Sequence, residues 1–523
     1  MVASSPPPTR SQHAQRLGLL ACVVVECLYI ASFSPFPSVD SAAHLGSAWA
    51  LADQLRHGGF ASLLTWHFTP APPNMLPSLA LLGLAQGLGY QHAESALIAG
   101  YAAALAFALW WALHKLRTGA DAFAFFALPL TFSFSLLYGF LNFSWSLVVL
   151  LMFAGVLLAE RDEPLRPRRA TLHLALLLAL YGTHFVGWLV GGVLYGSWAA
   201  VRAVRRRELR TLITAGFALV PSALLVGWFL LQSRSAATDT LLSPLSKAVR
   251  IAGLEYGQLA YEKLERVAFV ALAALFWTLA LRRWRTAWKS PRELALRLTI
   301  AVTSALAIFG PEGTSSGAVQ LAPRLGSIVA LLGVLALGFR PPSRLEQHSA
   351  IWISVAAALW LAGVRNAPLR AIERGQSALL ELAPQLRPHS TLLQANLARP
   401  HFGDTGRLDP LTAESGRLAA ERALLDLANV DLALPYFLLR FRPEFNPWSA
   451  LLHGTANIED SPPPLDLRAT PIPIDYLVLL GRPFASDQDR TSSTWLAFDA
   501  QLRAGFEHVQ TTGDGLWELW RAR

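Results

Sequence analysis

The chain has 523 residues, of which 53% are hydrophobic and 15% charged, with a mean hydropathy of +0.38. Soluble globular chains carry about 25% charged residues, so this composition excludes an ordinary soluble protein and indicates an integral membrane protein. The net charge of +9 does not point to nucleic acid, because from Ala367 onward 15 Lys+Arg stand against 19 Asp+Glu. The positive excess lies in short connectors before that point, and we expect no nucleic-acid partner.

Apolar runs near the length that crosses a bilayer recur along the first 366 residues, about 20 residues for a core of roughly 30 Å. They predict spans near 17–36, 75–90, 95–113, 120–137, 140–159, 171–183, 185–200, 211–232, 266–281, 296–310, 325–340 and 349–365. Either the short segment 75–90 is re-entrant or the irregular stretch 120–145 holds an extra half-span. We expect about 11 to 13 crossings.

Basic connectors set the expected orientation of these spans. The arginine-rich segments Arg161–Arg169, Arg202–Arg210, Arg282–Arg297 and Arg340–Arg344 should be cytoplasmic by the positive-inside rule, as should the N-terminal tail. The first span then reads as an uncleaved anchor, and the chain after Asn366 is exoplasmic.

One further segment, Thr171–Ala200, is too long for a single span and basic at both ends. Two short helices that meet near Gly182, Thr183 and His184 would satisfy both facts. His184 would then lie near the exoplasmic surface.

The last part of the chain has a different character, with frequent charges and clustered prolines. Amphipathic periodicity predicts helices, and an apolar run and an alternating run predict strands. The predicted helices are Glu373–Leu386, Ala413–Leu427 and Trp495–Gly505, and the predicted strands are Ile474–Pro483 and Gly515–Arg521. The predicted fold is mainly α: a polytopic membrane helical bundle (1–366, with a long first exoplasmic loop, 37–74) followed by a small exoplasmic α/β domain (367–523).

The first loop carries the most specific functional signal. Asp40 follows the first predicted span by three or four residues, and a carboxylate at the mouth of a membrane bundle must be solvated, paired or used, because burying it alone costs several kcal/mol. The next residues, Ser41–Leu55, predict an amphipathic helix that lies in the membrane interface with Trp49 as its anchor. His44 is one helical turn from Asp40, so the two side chains can meet. Asp40 also suits the N-cap of this helix, and capping and function are compatible roles.

Arg324 opens a predicted span from the exoplasmic side, where the positive-inside rule disfavours arginine. Its planar guanidinium can bind phosphate oxygens in a bidentate way, and the glycine-rich stretch before it can bring backbone amides close to an anion. Alternatively, Arg324 is the ion-pair partner of Glu312, or a snorkelling side chain near the head groups.

Four more residues have both a structural and a binding interpretation. His184 either forms structural hydrogen bonds or contacts a sugar or phosphate. Asn142, in Asn-Phe-Ser-Trp, either caps a helix or contributes a polar contact in a pocket. Trp66 and His67 stand in the first loop, away from the ordinary aromatic belt, and could stack on a sugar ring.

Several chemistries have no support in the sequence. Cys22 and Cys27 lie in the first span and point to different helix faces, so they neither pair nor bind metal. CxxC and HExxH patterns and a P-loop are missing from the sequence, and its one G-x-S-x-G match, Gly313–Gly317, lies in the glycine-rich loop before Arg324 and not at the end of a predicted strand. Nucleotide-driven transport and serine-hydrolase chemistry are therefore not indicated.

The first predicted span is followed by a short Pro-containing stretch, the segment VDSAAHL and the helix WALADQLRHGGF. Together these features resemble the GT-C superfamily. This superfamily comprises polyprenyl-phosphate-sugar-dependent glycosyltransferases, among them protein mannosyltransferases, aminoarabinose transferases and oligosaccharyltransferases. The stretch TPAPPNMLPSLALLGLAQGLG is similar to the Pro-rich approach to their second span. The segments LLLALYGTHFVGWL and GFLNFSW are similar to a bacterial branch of the group.

The resemblance implies that Asp40 is the essential acid of the first exoplasmic loop. Its role would be general base on the acceptor nucleophile, or ligand of a divalent metal such as Mg or Mn, in an inverting displacement. Family members often carry a second acid in a later exoplasmic loop. The candidates here, none in a recognisable motif, are Asp239, Glu255, Glu262 and Glu312.

The resemblance therefore implies a membrane glycosyltransferase that passes a sugar from a polyprenyl-phosphate donor to a glycan, lipid or protein acceptor. Asp40 and His44 would be catalytic, and Arg324, His184, Asn142, Trp66, His67 and Glu312 would bind substrate. The expected location is a bacterial inner membrane, because arginine outnumbers lysine 40 to 4 as in high-GC genomes. The alternatives are a non-catalytic scaffold or lipid-glycan-binding relative, and a transporter, although few ionisable residues other than Glu26 lie within spans.

Overall fold

The structure is a computed structural model that describes residues 10–67, 72–117, 119–160, 167–232, 242–284, 290–311, 320–398, 400, 402–433, 437–447, 467 and 470–523. Long helices occupy eleven of the twelve predicted spans: Arg10–Ala31, Met75–Leu88, Tyr90–Leu116, Leu141–Ala159, Pro167–Thr183, Phe185–Arg206, Leu209–Gln232, Glu265–Trp284, Pro291–Phe309, Leu321–Leu337 and Arg344–Leu380. Shorter helices are Ser41–Arg56, Ala127–Thr131, Phe134–Leu137, Pro244–Ala252, Ser415–Arg422, Val430–Ala433, Asp487–Thr491 and Ser493–Gly505. In the described residues, the 3-10 helices are Ala120–Phe126, Ala383–Gln385, Pro443–Phe445 and Arg482–Phe484.

The protein is a polytopic helical membrane protein. In the described part of the chain, six helical segments are long and apolar enough to cross a bilayer, judged by length and composition: Gln12–Ala31, Tyr90–Leu116, Ala120–Leu137, Leu141–Ala159, Leu209–Leu231 and Arg344–Gln385. Two shorter apolar helices, Met75–Leu88 and Leu321–Leu337, accompany them. The expected 11 to 13 crossings stay a prediction.

Three details of the bundle bear on the sequence-based predictions. The first helix ends at Ala31, so the prediction of a span to residue 36 is wrong; Pro35 and Pro37 follow the helix and remove the backbone donors that would continue it. The prediction that 120–145 is irregular is confirmed over 120–137, where the chain forms a 3-10 helix and two short α-helices. The predicted break near His184 is also confirmed, because one helix ends at Thr183 and the next begins at Phe185.

The C-terminal region contains a five-stranded sheet in the order β3-β2-β5-β7-β6, formed by β2 (Thr391–Asn396), β3 (Leu425–Asp426), β5 (Tyr476–Leu480), β6 (Phe506–Thr511) and β7 (Trp517–Ala522). Strand β2 pairs in parallel with both β3 and β5, whereas β7 is antiparallel to β5 and β6. Every residue of β2 and β5 is buried, as expected for strands covered on both faces. The predicted small α/β domain is confirmed.

Two connections fix this domain to the bundle. The helix Arg344–Leu380 carries the chain from one into the other, and the division predicted after residue 366 falls within it. A two-stranded ribbon forms the second connection, because β1 (Leu64–Trp66) of the first loop pairs with β4 (Leu439–Phe441). The first loop and the C-terminal domain therefore lie on the same side of the bundle.

The first-loop helix, Ser41–Arg56, is enclosed by protein. Its residues from Ser41 to Asp53 are all buried, and Trp49 packs edge-to-face on Phe60 at 6.0 Å between ring centroids. The prediction that this helix lies in the membrane interface with Trp49 as anchor is therefore wrong. The small residues Ala, Gly and Ser on several of its faces allow neighbouring backbone to approach from more than one direction.

A buried polar network joins three parts of the molecule beside the first-loop helix. Arg417 of the C-terminal domain donates to Glu94 of the helix Tyr90–Leu116 at 2.8 Å and to Glu414 at 3.0 Å. Ser41 donates to the same Glu94 carboxylate, and Gln376 of the long helix donates to Glu414 at 2.7 Å. Because each charge has an oppositely charged or hydrogen-bonding partner, the network fixes the start of the first-loop helix without leaving a charge unpaired.

Candidate active site

Asp40 occupies the N-cap position of the first-loop helix, but its side chain makes no capping hydrogen bond. Its backbone N–H donates to the carbonyl of Tyr138 at 2.9 Å, which holds it against the corner 138–140 of the bundle. Gly139 has a φ of +94°, and a Cβ there would lie 2.7 Å from the amide nitrogen of Ser41. The corner therefore needs glycine so that the backbone of Asp40 can approach it.

The Asp40 side chain lines a polar cavity of about 220 Å³ between the bundle and the C-terminal domain. The first loop, the corner at Tyr138 and the start of the helix Leu321–Leu337 contribute one side of this cavity. The C-terminal domain contributes the other side. The charged and amide residues among its described lining are Asp40, Gln320, Gln394, Asn396, Arg407, Asp409 and Asp426.

His44 lies one turn after Asp40 and is held by the C-terminal domain. Its Nδ1 is 2.7 Å from Oδ2 of Asp431, and Ser47 also donates to that oxygen at 3.2 Å. Burial alone lowers the pKa of the His44 imidazole, but the carboxylates of Asp431 and Asp40 together raise that pKa above its ordinary value. A protonated imidazole has no lone pair to accept a proton, so the arrangement suits His44 to an electrostatic and positioning role beside Asp40.

Arg324 and His184 meet on the bundle side of the same corner. The guanidinium of Arg324 stacks over the ring of Phe140 with 3.7 Å from Cζ to the centroid, and its Nη1 lies 3.3 Å from Nε2 of His184. Nδ1 of His184 accepts a hydrogen bond from the N–H of Val186 at 3.1 Å, so a neutral His184 carries its proton on Nε2. Two nitrogen donors then converge, which is an arrangement that one anion can accept from both sides.

The backbone links this pair to the cavity. The amide of Arg324 donates to the carbonyl of Gln320, and Gln320 lines the cavity that contains Asp40. Side chains form a second link between this pair and the cavity. Phe140, which lies under the Arg324 guanidinium, stacks on Tyr138 at 4.3 Å between ring centroids, and Tyr138 also lines the cavity. The structure therefore places Arg324 and His184 within one helical turn of the cavity wall.

The remaining predicted binding residues lie elsewhere or have other roles. Asn142 is buried in the first turn of the helix Leu141–Ala159, whose N-cap is Phe140, so the capping interpretation of Asn142 is wrong. The Asn142 Oδ1 atom is buried without a hydrogen bond in the described part of the chain. Trp66 ends β1, and the N–H of His67 donates to the carbonyl of Leu438 at 2.7 Å. Neither Trp66 nor His67 lines the cavity.

The acids that share the cavity with Asp40 come from a part of the chain that the sequence did not single out. Glu312 and Asp239 lie outside the described residues, and Glu255 and Glu262 do not line the cavity. Asp409 and Asp426 of the C-terminal domain do. Burial raises the pKa of Asp426 to about 7, against a smaller effect from hydrogen bonds such as that of the Ala428 amide at 3.0 Å.

Sequence reasoning missed Asp426 because it assigned the surrounding residues to a helix, Ala413–Leu427. The observed helix is Ser415–Arg422, and β3 (Leu425–Asp426) follows it, so that prediction is wrong at its C-terminal end. Ala423 ends the helix with a φ of +58°, and the amide of Leu425 then donates to the carbonyl of Ser390. The conformation of Leu425 and Asp426 is decided by their pairing with β2, a long-range contact that local periodicity cannot predict. An aspartate directly after the apolar pair Leu424-Leu425 was the only local signal.

Comparisons with known proteins agree with this architecture. No protein-family model matches the chain, and no curated protein matches it. Among solved structures, ArnT from Cupriavidus metallidurans in the apo state aligns with a TM-score of 0.50 and 12% identity over 97% of this chain and 98% of that one. ArnT from the same organism bound to undecaprenyl phosphate aligns with a TM-score of 0.51 and 13% identity over 96% and 98%. Since the alignments span both the bundle and the C-terminal domain, the chain has the fold of ArnT.

Proposed function

We propose that this protein is a glycosyltransferase that transfers a sugar from a polyprenyl-phosphate donor to a glycan, lipid or protein acceptor at the exoplasmic face of a bacterial inner membrane. The N-terminus would be cytoplasmic, and the C-terminal domain periplasmic or extracellular. The observation that carries the proposal is that Asp40 lines a polar cavity next to Arg324, a buried cation whose Nη1 lies 3.3 Å from Nε2 of His184. Fold alone does not assign an activity, and this grouping of side chains supplies the chemical argument.

In the proposed reaction, an acceptor hydroxyl attacks the anomeric carbon of the donor sugar. A new C–O bond forms on one face while the bond to the donor phosphate oxygen breaks on the other, so the configuration inverts. Asp40 takes the hydroxyl proton, and polyprenyl phosphate leaves with the bonding electrons. A positioned carboxylate base contributes about 10²–10⁴-fold in rate, which is the share that we assign to Asp40.

Arg324 and His184 would hold the phosphate. Negative charge grows on the leaving phosphate oxygen in the transition state, and donors fixed in advance stabilise it most strongly where water is excluded. Both side chains are buried, at 7% exposure each, and Phe140 fixes the guanidinium plane. In support of a lipid phosphate ligand, one structural neighbour, ArnT, was solved with undecaprenyl phosphate bound.

His44 would maintain the environment of Asp40 rather than transfer protons itself. Its hydrogen bond to Asp431 fixes the ring from the C-terminal domain, one helical turn from the carboxylate of Asp40. Three of the proposed substrate contacts have lower structural support because they do not line the cavity, namely Asn142, Trp66 and His67. Glu312 remains a proposed contact that lies outside the described residues.

A divalent ion such as Mg²⁺ or Mn²⁺ would use Asp40 as its ligand if one takes part. Within the described ranges, no three His, Cys, Asp or Glu side chains are grouped so that they could hold a metal ion. The reaction proposed above is written without a metal ion. Transfer measured with EDTA and after addition of Mg²⁺ or Mn²⁺ tests this part separately.

The proposed activity can be tested with purified protein and a panel of radiolabelled polyprenyl-phosphate sugars, using envelope lipids, glycans and peptides as acceptors. We expect one donor to give a labelled product and free polyprenyl phosphate. Binding of undecaprenyl phosphate without turnover of any donor would contradict the enzyme and favour a lipid-glycan-binding relative. Flux of the donor across proteoliposomes without transfer would favour a transporter.

A further inference from the structure

The wall of the cavity opposite Asp40 is built by one edge of the C-terminal sheet. Asn396 is the last residue of β2 and Asp426 the last residue of β3, and these strands are parallel neighbours. In the register of the sheet, Asp426 lies beside Leu392, four residues before Asn396 along β2, and both Asp426 and Asn396 line the cavity.

The amide groups of this wall are fixed in position. The Asn396 side chain accepts from Gln394 at 2.8 Å and donates to the carbonyl of Thr412 at 3.2 Å. These bonds use one N–H and one lone pair of the amide, which can make four hydrogen bonds in total. A fixed amide with one donor and one acceptor position left suits a hydroxyl group, which both donates and accepts.

The charges of the cavity disfavour an anionic ligand on this side. Among the described residues that line it, the carboxyl groups of Asp40 and Asp409 outnumber the one cation, Arg407, and Asp426 adds a third carboxyl group. The guanidinium of Arg407 donates to the carbonyls of Leu259 at 2.6 Å and Tyr256 at 3.2 Å, so it serves mainly to attach the domain to the bundle. A phosphate in this cavity would face three carboxyl groups, whereas the Arg324 pair lies on the other side of the corner.

We propose that Asp409, Asp426 and Asn396 form a subsite for an uncharged, hydroxyl-rich group of the acceptor, namely a saccharide ring, opposite Asp40. A cavity of about 220 Å³ is smaller than the roughly 300–1,000 Å³ of sites for drug-sized ligands, which fits a single ring. This assignment rests on the proposed function and adds to it the chemical class of the acceptor. In this arrangement, the bundle side of the site binds the lipid phosphate, and the domain side binds the acceptor whose hydroxyl attacks.

The test measures ligand binding on the full-length protein in detergent. Saturation-transfer NMR with a panel of neutral methyl glycosides, and with glucose 6-phosphate as the charged counterpart, reports contact with the sugar. We expect at least one methyl glycoside to give a signal that falls at least fivefold in Asp426→Asn and Asp409→Asn. The signal should persist in Arg324→Ala and in Glu444→Gln, an exposed acid of the same domain that does not line the cavity.

Undecaprenyl phosphate binding on the same samples separates this subsite from the proposed function. The proposal predicts that Asp426→Asn keeps lipid binding and that Arg324→Ala loses it. Three results would overturn the subsite even if the lipid binds. They are no glycoside signal in the wild type, an equal glycoside signal in all variants, and a glycoside signal weaker than that of glucose 6-phosphate. Glycoside binding that depends on Asp426 in a protein that binds no polyprenyl phosphate would instead overturn the proposed function and leave a saccharide site. Thermal unfolding of each variant confirms that it is folded.

Discussion

At the scale of single residues, the ionisable side chains of the site come from three different parts of the chain. Asp40 and His44 belong to the first loop, Arg324 and His184 to the bundle, and Asp426 to the C-terminal domain. The sequence predicted the first four because an ionisable residue at the end of a membrane span needs a reason to be there. It did not predict Asp426, because an aspartate in a domain rich in charge carries no such signal.

Asp426 gives a prediction about the pH dependence of stability. Its pKa is about 7 in the folded protein and near 3.8 when unfolded, so the folded state binds more protons between these values and stability falls as pH rises through them. Above pH 7 the ionised Asp426 lowers the free energy of unfolding by the full amount, whereas an asparagine at this position remains neutral at every pH. We expect Asp426→Asn to melt at a higher temperature than the wild type at pH 8 and to melt at about the same temperature at pH 4.

Thermal melting from pH 4 to pH 8 checks this difference. Glu444→Gln is the matched control, because that side chain is exposed and should show no such dependence. A difference in melting temperature that stays constant over the whole pH range would show that Asp426 does not titrate as described.

At the scale of elements, contact between two short helices places the first loop. Gly46 and Gly416 face each other where the first-loop helix crosses Ser415–Arg422, and a Cβ on Gly46 would lie 2.9 Å from the Cα of Gly416. A Cβ on Gly416 would fall inside the van der Waals radius of the Ala42 carbonyl. Periodicity predicted both helices. It could not predict their crossing, because the glycines that permit it are nearly 400 positions apart in the sequence.

Substitution of Gly416 tests this contact. We expect Gly416→Ala to destabilise the protein by about 1–3 kcal/mol, because the backbones must move apart to admit the methyl group. Thermal unfolding provides the measurement, with transfer activity as a second readout, since Asp40 lies at the start of the displaced helix. Gly87→Ala is the control: no neighbour lies within 4 Å of its Cβ position, and alanine should leave stability unchanged or raise it by up to about 1 kcal/mol. Equal melting temperatures for the two variants would contradict the crossing.

At the scale of the whole molecule, the cavity exists because bundle and domain are joined at several independent places. Apolar runs and basic connectors were enough to predict the bundle, since the bilayer imposes length and orientation on each span. Alternation and turn residues predicted two of the five strands of the small sheet, β5 and β7, whereas β2, β3 and β6 were not predicted. The joint between them depends on pairs such as Glu94 with Arg417 and Leu64 with Phe441, which are distant in sequence and follow no periodic pattern. For this reason Asp40 could be identified from the sequence, whereas the residues opposite it could not.

The role of Asp40 is the central claim, and one comparison tests it most directly. With the donor that the wild type turns over, Asp40→Asn should bind undecaprenyl phosphate as tightly as the wild type and transfer sugar at least about 100-fold more slowly, because it keeps the shape of the side chain and loses the base. Asp53→Asn, an acid in the same helix that does not line the cavity, should keep both properties. Transfer by Asp40→Asn at the wild-type rate would contradict the account.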